Sequence, residues 1–176
     1  MKLTPLMEKY VLHWGEMGTR WGVNRSIAQI HALLYLSPHP LTAEEIADTL
    51  SIARSNVSTS LKELQGWGLV RMTHLIGDRR DHFESIKDNW EMLTLIVEER
   101  KRREIDPTLT LLRECMAEAE ADKTTDPEVK ARIERILGFI ETLTIWYEQV
   151  RTLPKPTLVA LMKMGGKVAK FVSRVA

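Results

Sequence analysis

Three consecutive stretches decide the fold: Thr42-Ala43-Glu44-Glu45-Ile46-Ala47-Asp48-Thr49-Leu50, then Ala53-Arg54-Ser55-Asn56-Val57-Ser58-Thr59-Ser60-Leu61-Lys62-Glu63-Leu64-Gln65, then Leu69-Val70-Arg71-Met72-Thr73-His74-Leu75 running on to His82-Phe83-Glu84-Ser85-Ile86. Thr42 followed three residues later by Glu45 is a capping box, in which each side chain satisfies a free backbone N–H of a helix's first turn. A short helix is therefore predicted, with Ile46, Ala47 and Leu50 facing inward. After Ser51-Ile52 a second helix is predicted over 53–65, because Val57, Leu61 and Leu64 recur at helical spacing. Gly66 and Gly68 stop it. Branched residues with partial alternation then predict a strand over 69–75. A charged turn, Ile76-Gly77-Asp78-Arg79-Arg80-Asp81, leads into an alternating run that can pair back as a hairpin.

The face of the second helix opposite its apolar stripe carries Ser55, Thr59 and Lys62, flanked by Asn56 and Ser58. It is small, polar and free of acids until Glu63. Such a helix fits a major groove roughly 12 Å wide and can bond base edges and phosphates. Arg54 lies in its first turn. Helix N-termini attract anionic phosphate, which brings Thr42 into the candidate contact set. Arg79 and Arg80 at the hairpin tip suit a neighbouring minor groove or the backbone. A polar face alone is usually just solvated; the order of parts (short helix, turn, helix, basic-tipped hairpin) is what specifies a winged helix-turn-helix. The candidate DNA-binding residues are Thr42, Arg54, Ser55, Asn56, Ser58, Thr59, Lys62, Arg79 and Arg80.

The flanks read as helical. Met7, Tyr10, Val11, Trp14, Met17 and Trp21 mark an amphipathic helix over 5–21, with Gly15, Gly18 and Gly22 blurring its end. Asn24 can cap a helix carrying Ile27, Ile30, His31, Leu34 and Tyr35, which Pro38 and Pro40 close. A helix is predicted from Asn89 to Glu104. Asp106-Pro107 and Asp126-Pro127 each read as a cap followed by Pro at the first helical position. Leu109, Leu112, Met116 and Ala119 line the first of these helices. The second is expected to bury Val129, Ile133, Ile136, Leu137, Ile140, Leu143 and Tyr147. Pro154-Lys155-Pro156 precedes a last helix with Leu158, Leu161, Met162, Val168 and Val172. It carries Lys155, Lys163, Lys167, Lys170 and Arg174 without an acid, and reads as flanking a dimer seam rather than lying on a membrane. The expected architecture is mainly α: a winged helix-turn-helix with a three-helix core and a two-stranded β wing, plus additional N- and C-terminal helices. Residues 1–23 contribute the N-terminal helix, 24–87 form the reader domain, and 88–176 form the C-terminal helical region.

Composition narrows the function. Of 176 residues, 44% are apolar, enough to bury a core. Lys and Arg number 25 against 24 acids, a net charge of +1, so no basic coat exists. Residues 1–86 hold nine basic and nine acidic side chains, so an anion-binding patch must come from segregation. The one cysteine excludes an internal disulfide and any multi-thiolate metal site. Cys115 reads as an inert buried thiol. The histidines (His13, His31, His39, His74 and His82) lack zinc-ligand spacing; His74 and His82 read as cross-strand surface residues. No metal or cofactor is expected. The mixed run Glu98 to Glu104 reads as a solvated helix with internal ion pairs. No apolar run reaches the ~20 residues that span a bilayer, and no export signal is seen, so a cytoplasmic protein is expected. There is no HExxH, no Walker loop and no dinucleotide fingerprint, and Gly165-Gly166-Lys167 lacks the loop before it and the hydroxyl after it; the chain does not read as an enzyme. The rival reading is a winged helix that binds protein partners. Tyr10, Trp14 and Trp21 share a helix face and form a candidate effector site, an aromatic wall for an organic cation, although such stripes are more often core.

Residues 40–86 resemble the reader domain of MarR-type regulators, and residues 10–86 resemble the GbsR-type branch of that group. The resemblance lies in Trp14-Gly15-Glu16-Met17-Gly18, Leu41-Thr42-Ala43-Glu44-Glu45-Ile46-Ala47, Ser55 through Leu64, Gly68-Leu69-Val70 and Gly77-Asp78-Arg79-Arg80. It implies that Asp78 braces Arg80 as a wing signature. It also implies a homodimeric repressor on a pseudo-palindromic operator, responsive to a small organic effector, with the helices of residues 1–23 and 88–176 forming the dimerisation layer. The second wing strand, Asp81 through Ser85, is more polar than the family's pattern.

Overall fold

The computed structural model describes residues 1–165, so Val168, Val172, Lys167, Lys170 and Arg174 of the expected last helix lie outside the described residues. The chain forms two units, Met1–Glu99 and the residues from Arg100 on.

In the first unit, α1 (Pro5–Arg20) opens at Thr4, whose hydroxyl accepts the Met7 N–H, and α2 (Arg25–Leu36) opens at Asn24, which accepts the Ser26 N–H at 2.8 Å. The two helices pack so closely that a Cβ on Gly18 would stand 2.5 Å from the Ala28 Cβ. Gly15 and Gly18, read above as a frayed helix end, are in fact a buried contact face. Trp14 and Trp21 correspondingly keep 36% and 50% of their surface in water.

α3 (Ala43–Leu50) begins with the capping box: Glu45 donates its N–H to Thr42 Oγ1 at 3.2 Å, and Thr42 donates its N–H to Glu45 Oε2 at 2.8 Å. Ser51, in the left-handed region, turns the chain towards α4 (Arg54–Gly66). Val57, Leu61 and Leu64 of α4 meet Ile46 and the α2 residues Ile27, Ile30, Leu33 and Leu34 in one core. Each fully buried aliphatic contributes about 1.5–3 kcal/mol. Gly68 ends this helix at φ +73, a value that suits glycine, while the Leu69 N–H reaches the Leu64 carbonyl at 3.0 Å.

The wing strands are β2 (Val70–Thr73) and β3 (His82–Ser85), antiparallel with Met72 opposite Phe83. A third strand, β1 (Leu41–Thr42), pairs on the other edge of β3 with Leu41 opposite Phe83. The sheet order is β1-β3-β2, so the two-stranded wing expected from sequence is present and a third strand, not foreseen there, extends its sheet. Two residues are too few to show a period-two pattern. The central position of β3 also accounts for its unusual polarity: His82, Phe83 and Ser85 are buried, and their polar atoms have partners. The Ser85 hydroxyl gives its proton to the Ile86 carbonyl at 3.1 Å, so it accepts from His31 Nε2 at 3.1 Å. Beyond the strand, the Lys87 ammonium donates to the carbonyls of Leu34, Tyr35 and Ser37 at 2.7–2.9 Å, closing the C-terminus of α2. α5 (Asn89–Arg100) lays Met92, Leu95 and Ile96 on the same core.

The second unit begins with a π turn, Lys101–Ile105, and α6 (Asp106–Ala121). Asp106 itself has helical angles, so it is not the cap that its place before proline suggested. Pro107 has no N–H to complete the ordinary ladder, and the widened turn ahead of it is the local adjustment. α7 (Pro127–Arg151) runs antiparallel to α6, capped by Asp126 and tied by Arg113 to Glu141 at 2.9 Å. α8 (Lys155–Met164) follows. Leu109 is buried, and Leu112, Cys115, Met116 and Ala119 are half-buried. On α7 the sequence reading fails in part. Ile133, Leu137, Ile140 and Tyr147 are half-buried, but Val129, Ile136 and Leu143, expected inside, are exposed. Among the described residues no helix is long and apolar enough to cross a membrane.

Candidate nucleic-acid interface

The buried stripe of α4 fixes what the helix shows to solvent. Arg54, Ser55, Asn56, Ser58, Thr59 and Lys62 are all exposed. Their side chains differ in freedom. Thr59 donates its hydroxyl proton back to the Ser55 carbonyl at 3.1 Å, leaving the oxygen as an acceptor. Asn56 is committed more deeply. Its amide nitrogen donates to Ser26 Oγ at 2.9 Å and its oxygen accepts from Ser60 at 3.3 Å. It therefore fastens α4 to the start of α2, a bracing role that helical spacing alone did not suggest. Arg54 borders an open groove of about 540 Å³ shared with Glu44, Ala47, Asp48, Ser51 and Ile52. The two carboxylates temper the pull of that helix end on phosphate.

Thr42 requires a correction. It is 2% exposed, and its hydroxyl both accepts the Glu45 N–H and donates to Glu45 Oε2 at 2.9 Å. A buried, saturated cap has no valence left for a phosphate. The carboxylates of Glu44 and Glu45 in the same turn oppose an anion as well. The Thr42 main-chain N–H, followed by its hydroxyl, donates to the Glu45 carboxyl and holds it below its ordinary range.

At the wing, Asp78 and Arg80 meet. The Asp78 carboxylate accepts from the Arg80 main-chain N–H at 3.0 Å, from Nε at 3.0 and 3.1 Å, and from Nη2 at 2.6 Å. These bonds push the Asp78 carboxyl far below the usual carboxylate range. The guanidinium remains 57% exposed, so the brace orients the arginine without hiding it. Arg79 is exposed and enters no ion pair with the described residues. Ile76, at the tip beside them, is fully exposed.

The aromatic residues of α1 also come together. The Tyr10 and Trp14 ring centroids are 5.8 Å apart, and those of Trp14 and Trp21 are 6.3 Å apart. Two members were missed in the sequence: Tyr35 stacks on Tyr10 at 6.5 Å, and Lys87 Nζ lies 5.7 Å from the Tyr35 ring. Burial raises the Tyr10 pKa. A ring partner on another helix leaves no spacing signal, although Tyr35 stands on the apolar side of α2.

A short helix, a tight turn, a second helix with a bare polar face, and a hairpin bearing a braced arginine define a winged helix-turn-helix. Residues 21–81 match the model of the MarR family, and the fold matches the winged helix of MarR-type regulators. It is similar to the HTH-type transcriptional repressor GbsR of Bacillus subtilis (strain 168), at 21% identity over 155 residues, covering 86% of this chain and 82% of that protein. A crystal structure of a transcriptional regulator superposes with a TM-score of 0.54 at 19% identity, covering 79% of this chain and 90% of that one. The ST1889 protein of Sulfolobus tokodaii gives 0.41 at 22% identity, covering 51% of this chain and 89% of that one.

Proposed function

We propose that the chain is a sequence-specific repressor that binds a pseudo-palindromic operator as a homodimer. The observation that carries this reading is the bare outward face of α4, where Ser55, Ser58, Thr59 and Lys62 stand exposed and acid-free beside the exposed arginines Arg79 and Arg80. In this reading α4 lies in the major groove. Ser55, Ser58 and Thr59 meet base edges and phosphates, Lys62 and Arg54 meet the backbone, and Arg79 and Arg80 reach the flanking groove. Two-fold pairing places half-sites about one helical turn apart, or a multiple of it. The uncovered apolar side of α7 supports the pairing. Val129, Ile136 and Leu143 recur at seven, as do Phe139 and Trp146, which is the spacing of a helix–helix seam. The name of the relative GbsR supports repression. A small organic effector would act at Tyr10, Trp14 and Trp21, and it must bind the two forms of the dimer unequally to shift anything.

Selection of bound duplexes from a random pool tests binding, symmetry and spacing together. The expected product is an inverted repeat with one preferred spacing. Recovery of no enriched sequence contradicts the reading and favours a winged helix that binds protein.

A further inference from the structure

His82 sits on the central strand of the wing sheet, opposite Thr42 on one side and Thr73 on the other, and is 4% exposed. This reverses the surface position expected from sequence. Its ring touches both ends of the Asp78–Arg80 pair. Nδ1 lies 2.9 Å from the Arg80 carbonyl oxygen, and since a carbonyl only accepts, Nδ1 carries a hydrogen. Nε2 lies 3.5 Å from Asp78 Oδ2, the oxygen that also holds the Arg80 guanidinium. We propose that His82 is a positioning residue for the wing arginine: its imidazole holds the Arg80 main chain and the Asp78 carboxylate, and so fixes the direction in which the guanidinium projects. The inference rests on the reading that Arg80 meets DNA.

The ring's two states act differently on this brace. With hydrogen on Nδ1 alone, Nε2 turns a lone pair towards a carboxylate. With both nitrogens protonated, Nε2 becomes a charged donor to it. The other charges around the ring are accounted for. Asp81 follows Arg80 and pairs with His74 at 3.9 Å. From the β1 side, Glu44 and Glu45 of α3 act on Arg80, with Glu45 closed onto Thr42. On β2 and β3, Arg71 and Glu84 neutralise each other at 2.8 Å. Asp78 is thus the acceptor placed to respond to the ring. Proton uptake by His82 tightens the brace and strengthens DNA binding.

The test is fluorescence anisotropy on the selected duplex at fixed ionic strength, from about pH 8 to about pH 6, with the full chain and its H82Q, H82L and R80A variants. Wild-type affinity is expected to rise on the order of fivefold across that range. H82Q keeps a donor that can reach Asp78 and cannot titrate, so it should bind well with a flat profile. H82L should bind weakly and also be flat. A flat wild-type profile, or an H82L variant with the wild-type slope, overturns the proposal. R80A separates the two readings: if R80A is weak while H82L matches wild type, only the role of His82 fails; if R80A binds like wild type, the reading of the wing falls and this proposal with it. A measurement on the unaltered protein needs no variant to fold. The Arg80 Nε–H resonance should shift with the same midpoint as the His82 ring nitrogens, and an Arg80 signal blind to that titration overturns the proposal.

Discussion

Residues 1–99 enclose a core of many apolar side chains, whereas the described residues from 100 on leave most of theirs exposed or half-buried. The first unit buries Val11, Ile27, Ile30, Leu33, Leu34, Leu41, Ile46, Val57, Leu61 and Leu64, drawn from four helices and a strand. In the second, Leu109 is buried while Val129, Ile136, Phe139, Leu143, Ile145 and Trp146 are exposed. Both are built from amphipathic helices with similar caps. The difference is the number of faces each helix must cover. α2 is wrapped by α1, α4 and β3 together. α7 meets α6 on one side and keeps a second apolar side at heptad spacing. A reader that is complete in itself, followed by helices that are not, accords with the proposed pairing of two copies of the chain.

Five substitutions break or sharpen that contrast. Leu33→Ala, at a site with no solvent exposure, should cost about 2–5 kcal/mol in chemical denaturation. Phe139→Ala, 62% exposed, should cost under about 0.5 kcal/mol at protein concentrations too low for self-association. Equal losses would erase the distinction.

Acid tests the reader's core next. Burial, with help from Lys87, pushes His31 down from 6.5 to about 4. The unfolded chain therefore takes up this proton first as pH falls. The stability it confers is complete above the unfolded value and is lost as pH drops through that window, by about 3 kcal/mol in all. His31→Gln should remove that slope from stability measured against pH, and an unchanged slope would assign it to other groups.

Ile136→Asp places a charge on the exposed seam of α7. Sedimentation should show self-association weakened by about 2 kcal/mol, roughly thirtyfold. An unaltered mass distribution would move the dimer contact elsewhere. The smallest effect belongs to Thr42→Ala: loss of the cap should cost about 1 kcal/mol, while DNA affinity of the folded protein stays within about twofold. A large loss of affinity would return Thr42 to the contact surface.

Much of the reader was legible because its signals are local. The Thr42–Glu45 box, the Val57–Leu61–Leu64 stripe and the Gly68 stop each lie within one turn or one element. Features requiring distant partners were not legible. β1 exists only because β3 pairs with it. Asn56 points outward by spacing, yet Ser26, thirty residues earlier, claims its amide. His82 alternates like a surface residue, and becomes buried because a strand covers each edge of β3. The glycines at 15 and 18 read as blurring the end of the helix for the same reason: nothing near them in sequence reveals that Ala28 and Gln29 press against them. On α7 the whole stripe was read as buried, yet Val129, Ile136 and Leu143 are exposed, because the helix carries more apolar positions than α6 can cover.

The central claim is that the polar ridge of α4 and the arginines of the wing together grip a duplex. The most direct test is the salt dependence of affinity for the selected operator, measured for the wild type and for the Arg79→Ala/Arg80→Ala double variant. If both arginines lie against phosphate, the slope of log affinity against log salt should shrink by about 2 and affinity should fall for every sequence tested. An unchanged slope with unchanged affinity would contradict the account.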